Sequence, residues 1–308
     1  MSTSAMTTAV KAEQRPTQPT HSATPSFLGI VRGEFFKIGH QWATWIMTFL
    51  LVCVNLLPYI LTFTAKDPGQ SLKQTPLSFY YNHFEGGLAI MRVFGGIFLI
   101  VLTATAIGQE YQLGTIRILL ARGVGRLQLL AAKLLMVVIV GLLIIVGCLL
   151  LNALATVLVV LILAGNLNSL NSLTPTFWSD VQVYLLTILV SMGASILMAT
   201  AMAVIGRSLT LGLSLALAWF PVDNIGTIFL VLAMRLTHQD FWLNITGYLL
   251  GPTLNKMPAV VGSSSAFTIG TQPFVTVTGT QTLLVALVYS VVFAVVAVVL
   301  TWRRDVKE

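Results

Sequence analysis

Six long apolar runs, separated by short polar or charged stretches, set the pattern of this chain. They lie near residues 42–63, 86–107, 134–163, 183–205, 209–230 and 283–302. Each reaches the roughly 20 apolar residues that cross a bilayer as a helix. The pattern predicts an all-α, polytopic membrane protein with six transmembrane helices. The third run is long enough to tilt or protrude. The first is interrupted in its second half by Asn55 and Pro58, and the proline removes a helix hydrogen bond. The fifth breaks at Pro221-Val-Asp223-Asn224. Two readings fit that break: one helix kinked at Pro221, or a helix that stops and re-enters with Asp223 in a polar cavity.

Polar and apolar positions alternate differently just before the first run. In SFLGIVRGEFFKIG, residues 26–39, Phe27, Val31, Phe35 and Ile38 fall on one helical face and Arg32, Gly33 and Lys37 on the other. This predicts an amphipathic interfacial helix. Ser26 is placed to cap it, and Glu34 stands three residues from Lys37, within pairing reach.

The most highly patterned stretch between two runs is 108–133, GQEYQLGTIRILLARGVGRLQLLAAK. Thr115 is placed to cap a short helix. Ile116, Leu119 and Leu120 form an apolar face with Arg117 on another. Gly123 suits a left-handed helix end, Gly125 a turn, and Arg126 the start of the next helix. A short basic loop between two spans faces the cytoplasm by the positive-inside bias.

Glu110, Gly114, Thr115, Arg117, Leu119, Leu120, Arg126 and Lys133, in that order, resemble the first cytoplasmic loop of ABC-2-type transporter permeases. Gly123 and Gly125 stand where that family often has proline and serine. The order Glu34-Phe35-Phe36-Lys37 before the first span is similar to the family's elbow helix. The resemblance covers the elbow, six spans and loop, roughly Ser26 to Arg304. It implies that residues 108–133 are a coupling loop docking on a separate ATPase subunit, with Glu110, Gly114, Thr115, Ile116, Arg117, Leu119, Leu120, Arg122 and Arg126 as the contact set. It also implies a pair of permeases with two ATPase subunits, ATP and magnesium held by those subunits, and transport outward.

Charge narrows the picture further. Of 308 residues 56% are hydrophobic and 9% charged, against about 25% charged in a soluble domain. The net charge of +7 reads as topology, not as a nucleic-acid surface. With six spans and both termini cytoplasmic, only Lys66, Lys73, Arg235 and Lys256 fall outside; Arg92 is within a span, and the other basic residues are inside. That asymmetry predicts the orientation and a multi-pass protein of the plasma or inner membrane. Residues 1–25, rich in Ser, Thr, Ala, Gln and Pro, are expected to be a disordered cytoplasmic tail, and residues 26–308 one permease domain.

The candidates for a translocation path are Asp223, Arg92 and Asn55, because polar groups inside spans are costly. For Arg92 the expectation is snorkelling to the headgroups or pairing with Glu85. Residues 235–281 form the longest outer segment, with short surface helix expected in part of it. Cys53 and Cys148 sit in apolar runs, and the histidines have no ligand spacing. No phosphate loop, HExxH or GxSxG is present, so the chain is not expected to be an enzyme, bind a cofactor or hold a metal. Two alternatives stay open: an intramembrane enzyme using Asp223 with polar outer residues such as Ser263 to Ser265, and a membrane scaffold without a transport cycle.

Overall fold

The fold follows from where each apolar run finds a cap or a break. The structure is a computed structural model and describes residues 26–64, 67–262 and 269–303. The expected tail, Ser263 to Ser265, and the last residues from Arg304 onward lie outside the described residues. The described residues form eleven α-helices and a 3-10 turn at Asn168–Ser172, with no strand. In order the helices are α1 Phe27–Gly39, α2 Trp42–Thr62, α3 Pro68–Gln74, α4 Pro76–Gln112, α5 Thr115–Ala121, α6 Arg126–Ala164, α7 Pro175–Gly206, α8 Leu209–Thr237, α9 Phe241–Thr246, α10 Leu250–Val261 and α11 Gly279–Arg303. Six of them, α2, α4, α6, α7, α8 and α11, are long and apolar enough to cross a membrane.

Capping chemistry sets several boundaries. Ser26 Oγ accepts the Gly29 amide at 3.1 Å and opens α1. Thr174 and Ser208 do the same for α7 and α8. Proline begins α3, α4 and α7, where its missing N–H is an orphan anyway. Pro76 starts α4 ten residues ahead of the expected span at 86–107, so with α3 most of the stretch between the first two apolar runs is helical.

Burial separates centre from rim. In the most apolar window of α4 and α7, 61% and 67% of residues are buried; in α8 the share is 11%, in α2 17% and in α11 22%. So α4 and α7 are the axis of the bundle. The one-sided helices leave apolar faces outward, as Phe49, Ile60, Ile228, Phe229 and Val291 show. Such faces suit lipid, which competes with no hydrogen bond. The main core packs Leu88, Met91 and Leu99 of α4 with Met136 and Ile145 of α6 and Ile188 and Met192 of α7.

Of the two readings of the fifth run, the single helix is the one found: α8 is continuous through Pro221. Within residues 235–281, α9 is a short, partly exposed helix, whereas α10 belongs to the core and buries Leu250, Leu254 and Met257 among α7, α8 and α11.

Candidate functional site

Two polar assemblies stand on α4, one near its C-terminal end and one near its middle. The first is a closed ring of four charges. Lys133 Nζ, 4% exposed, lies 2.7 Å from Glu34 Oε2 and 2.9 Å from Glu110 Oε1. Lys37 Nζ lies 2.7 Å from Glu34 Oε1 and 2.9 Å from Glu110 Oε1. Lys133 also donates to the Ala106 carbonyl at 2.8 Å, so its three protons are all used. This matters because a buried ammonium with an unmet donor is strongly penalised. Lys37 is half-exposed. Burial alone would lower its pKa, but the hydrogen bonds and charges of Glu110 and Glu34 outweigh that and hold it above the ordinary lysine value. Gln41 Nε2 adds a bond to Gln109 Oε1 at 3.1 Å. The ring therefore joins α1, the end of α4 and the start of α6.

The α5 helix hangs from this ring between two glycine turns. Gly114 at φ 68° is its N-cap, and no side chain caps it. The expected cap, Thr115, is instead the first helical residue. A hydroxyl there does not reach back to the orphan amides, and the left-handed turn at Gly114 does the work. At the other end Gly123 has φ 83°. Its N–H donates to Leu120 O at 3.0 Å, and that of Val124 to Leu119 O at 3.3 Å, the paired closure that favours glycine. Gly125 caps α6, with its N–H held by Gln128 Oε1 at 3.4 Å.

Around α5 the predicted residues part company. Arg117 and Arg122 are exposed; Thr115, Ile116, Leu119, Leu120 and Arg126 are half-buried; Glu110 is buried in the ring. Two exposed apolar residues were missed, Leu113 at 72% and Ile118 at 55%. Their signal was an apolar residue next to arginine on a short loop helix. A cleft of about 330 Å³ runs between α5 and the ring, lined by Thr115, Ile118 and Leu119 on one side and Glu34, Lys37 and Glu110 on the other.

The second assembly holds α10. Pro258 lies inside α10 and has no N–H, so the carbonyl of Leu254, four residues back, has no helical donor. Arg92 supplies one: Nη1 donates to Leu254 O at 2.8 Å, and Nη2 to Asn255 Oδ1 at 3.1 Å. At the other end of α10 the Gly251 N–H, an orphan of the first turn, donates to Asp223 Oδ2. A carboxylate at a helix N-terminus also opposes the helix dipole favourably. Asn255 Nδ2 continues the network to Thr271 O at 2.9 Å and Asn224 Oδ1 at 3.3 Å. Arg92 is thus 4% exposed and turned inward, which corrects the expectation of snorkelling. It braces a proline-broken helix, a partnership 162 residues apart in sequence.

Asn55 does not join this assembly. It is fully buried on α2, in line with Leu51 and Tyr59, and both ends of its amide lack a hydrogen-bond partner. Asn152 one helix away is satisfied, by Tyr59 Oη at 2.9 Å and by Cys148 O at 2.8 Å. Among the described residues no group of three or more His, Cys, Asp or Glu could hold a metal.

The arrangement of elbow, loop helix and six spans fits what comparison with known proteins finds. The sequence matches the model of the ABC-2 family transporter protein family over residues 28–306. The chain belongs to this family, and it is a multi-pass membrane permease. Searches of curated proteins and of solved structures found no match.

Proposed function

We propose that this permease is driven by a separate ATPase subunit docking on α5, with the α5 end and both termini in the cytoplasm of a cell with a plasma or inner membrane, and that it works as an exporter in a pair of permeases. ATP and magnesium belong to the ATPase. One observation carries the reading: a short helix with outward apolar side chains is fixed by glycine turns to a charge ring that clamps two long helices and the elbow. A free loop would need no such anchorage. Helix-in-groove docking uses apolar residues at helical spacing. Leu113 and Ile118 are the exposed apolar groups there, beside the half-buried Ile116, Leu119 and Leu120. Arg117, Arg122 and Arg126 supply rim charge, which tunes association more than affinity.

Asp223 and Asn224 give the runner-up, an intramembrane enzyme, little support. The Asp223 carboxylate is engaged by the α10 N-terminus and Asn224 by Thr271. Both read better as braces at the outer end of the path.

The test compares Ile118→Asp, Leu120→Asp and Arg126→Ala. Each aspartate puts a carboxylate into an apolar contact, at a cost of a few kcal/mol. Loss of the rim charge pair costs about 0–1 kcal/mol. Both aspartate variants should insert normally but lose the co-purifying ATPase, and Arg126→Ala should retain it. Retention of the ATPase and of stimulated hydrolysis by Ile118→Asp and Leu120→Asp together would remove α5 as the docking element.

A further inference from the structure

A cavity of about 290 Å³ lies beside the Arg92 brace, walled by α4, α7, α8, α10 and the segment at 269–271. It is about ten waters in size, at some 30 Å³ per water. Its wall is divided by chemistry. Arg92, Ser191, Ser195 and Asn224 are polar; Ile97 and Phe220 are apolar. Among the described residues no acidic side chain lines it.

The cation there is only partly spoken for. Two Arg92 nitrogens are held by neutral acceptors on α10, and Nε is buried without any acceptor. Tyr184 also hydrogen-bonds the guanidinium and is itself in electrostatic reach of Glu85, which lies two turns along α4 from Arg92 and outside the cavity lining. Ser195 spends its proton on Ser191 O at 2.9 Å. Ser191 Oγ makes no hydrogen bond among the described residues, so its donor is free. A guanidinium held only by neutral groups among the described residues and a free hydroxyl lining the same cavity favour an oxyanion, because charge-assisted hydrogen bonds of this kind are about twice as strong as neutral ones.

Depth supplies the rest of the ligand. Arg92 precedes Glu110 by eighteen residues of continuous α4, or about 27 Å at 1.5 Å per residue. The hydrocarbon layer is about 30 Å thick. If the charge ring marks one boundary, the cavity sits just inside the other. A molecule reaching it laterally is amphiphilic.

We propose that this cavity binds the oxyanion head of an amphiphile, a carboxylate or phosphate ester on an apolar body, with Arg92 and Ser191 as donors and Ile97 and Phe220 against the apolar part. The proposal rests on the permease reading only for the use made of the bound molecule. Binding itself needs no ATPase, so it can fail or succeed independently of docking at α5.

The experiment uses the full chain with Cys53 and Cys148 replaced and Ile97→Cys added, in micelles of a non-ionic maltoside detergent, which carries no oxyanion. The alkylation rate at residue 97 is read while dodecyl phosphate is titrated, with dodecanol as the neutral control. Dodecyl phosphate should slow alkylation at least tenfold, saturably, and dodecanol should not. Arg92→Gln should abolish the protection, but it also removes the α10 brace. Ser191→Val is therefore the second variant: it fills the polar wall and leaves the brace untouched, and it too should abolish protection. Nanodiscs containing phosphatidylglycerol separate the sources. Protection without added ligand identifies a bilayer lipid head as the occupant; protection only on adding dodecyl phosphate identifies a free solute. Either supports the site. Equal protection by dodecanol, or full protection by dodecyl phosphate in Ser191→Val, overturns it.

Discussion

Arg92 illustrates how one side chain can be read two ways until its partners are known. In the membrane an unmet carbonyl costs more than in water, because no solvent replaces the lost donor. Pro258 creates one such carbonyl at Leu254, and Arg92 fills it. The two residues should therefore be energetically coupled. Arg92→Ala alone strands Leu254 O and Asn255 Oδ1, at about 1–3 kcal/mol each. Pro258→Ala restores a helical N–H to the carbonyl. In that background the loss of Arg92 should cost less, with a coupling of about 1 kcal/mol in a double-mutant cycle. Thermal unfolding in lipid-supplemented detergent reads the difference, and strict additivity would contradict the brace. Asn55 predicts the opposite sign. Its amide is buried with no partner, so Asn55→Leu should raise stability by about 1–2 kcal/mol. A lower melting temperature would mean that a bound molecule normally satisfies it.

At the level of elements, hydropathy and capping made much of the fold legible. The six spans, the elbow with its Ser26 cap, the Glu34–Lys37 pair and the Gly123 turn all rest on local spacing, and local spacing is printed in the sequence. The third dimension of the same residues was not. Lys133 pairs with Glu34 across 99 positions, and nothing in either neighbourhood names the other. α10 was missed for a different reason: twelve residues containing two prolines, a glycine and Lys256 fall short of any span, and their burial depends on slots made by α7, α8 and α11. Thr115 failed as a cap because a left-handed glycine preceding it took over the turn. The elbow also gives a pH prediction. Lys37 is raised in the folded state by the two glutamates, so its contribution to stability is complete below its unfolded value of about 10.5 and is lost as pH rises through the folded value. Wild type should lose stability in that alkaline window more steeply than Lys37→Gln. Parallel curves would show that the ring does not depend on Lys37 being charged.

In the whole molecule α4 is the element that connects the two polar assemblies. It is one helix from Pro76 to Gln112, with the charge ring near one end and the α10 brace about 27 Å away. On the proposed docking, a motion of α5 would enter α4 and α6 together, because Glu110 and Lys133 bind each other and the elbow. The ATPase can shift the bundle only if its ATP-bound form favours one arrangement; equal affinity for both arrangements shifts nothing. On that proposal the ring would pass a displacement of α5 on to α4. Glu110→Gln with Lys133→Met removes one charge of each sign, which avoids leaving a lone buried ion, a change that would cost about 3–5 kcal/mol. α5 and its exposed apolar residues stay unchanged, so the ATPase should still co-purify. What should fail is transmission. In the cysteine-replaced chain, Ser195→Cys reports on the cavity beside Arg92, and its alkylation rate should change between ATP-bound and nucleotide-free complexes. In the double variant that nucleotide dependence should disappear while hydrolysis by the bound ATPase continues. If the rate at residue 195 still responds to ATP as in the parent, motion reaches the cavity by another route and the ring is a structural clamp alone.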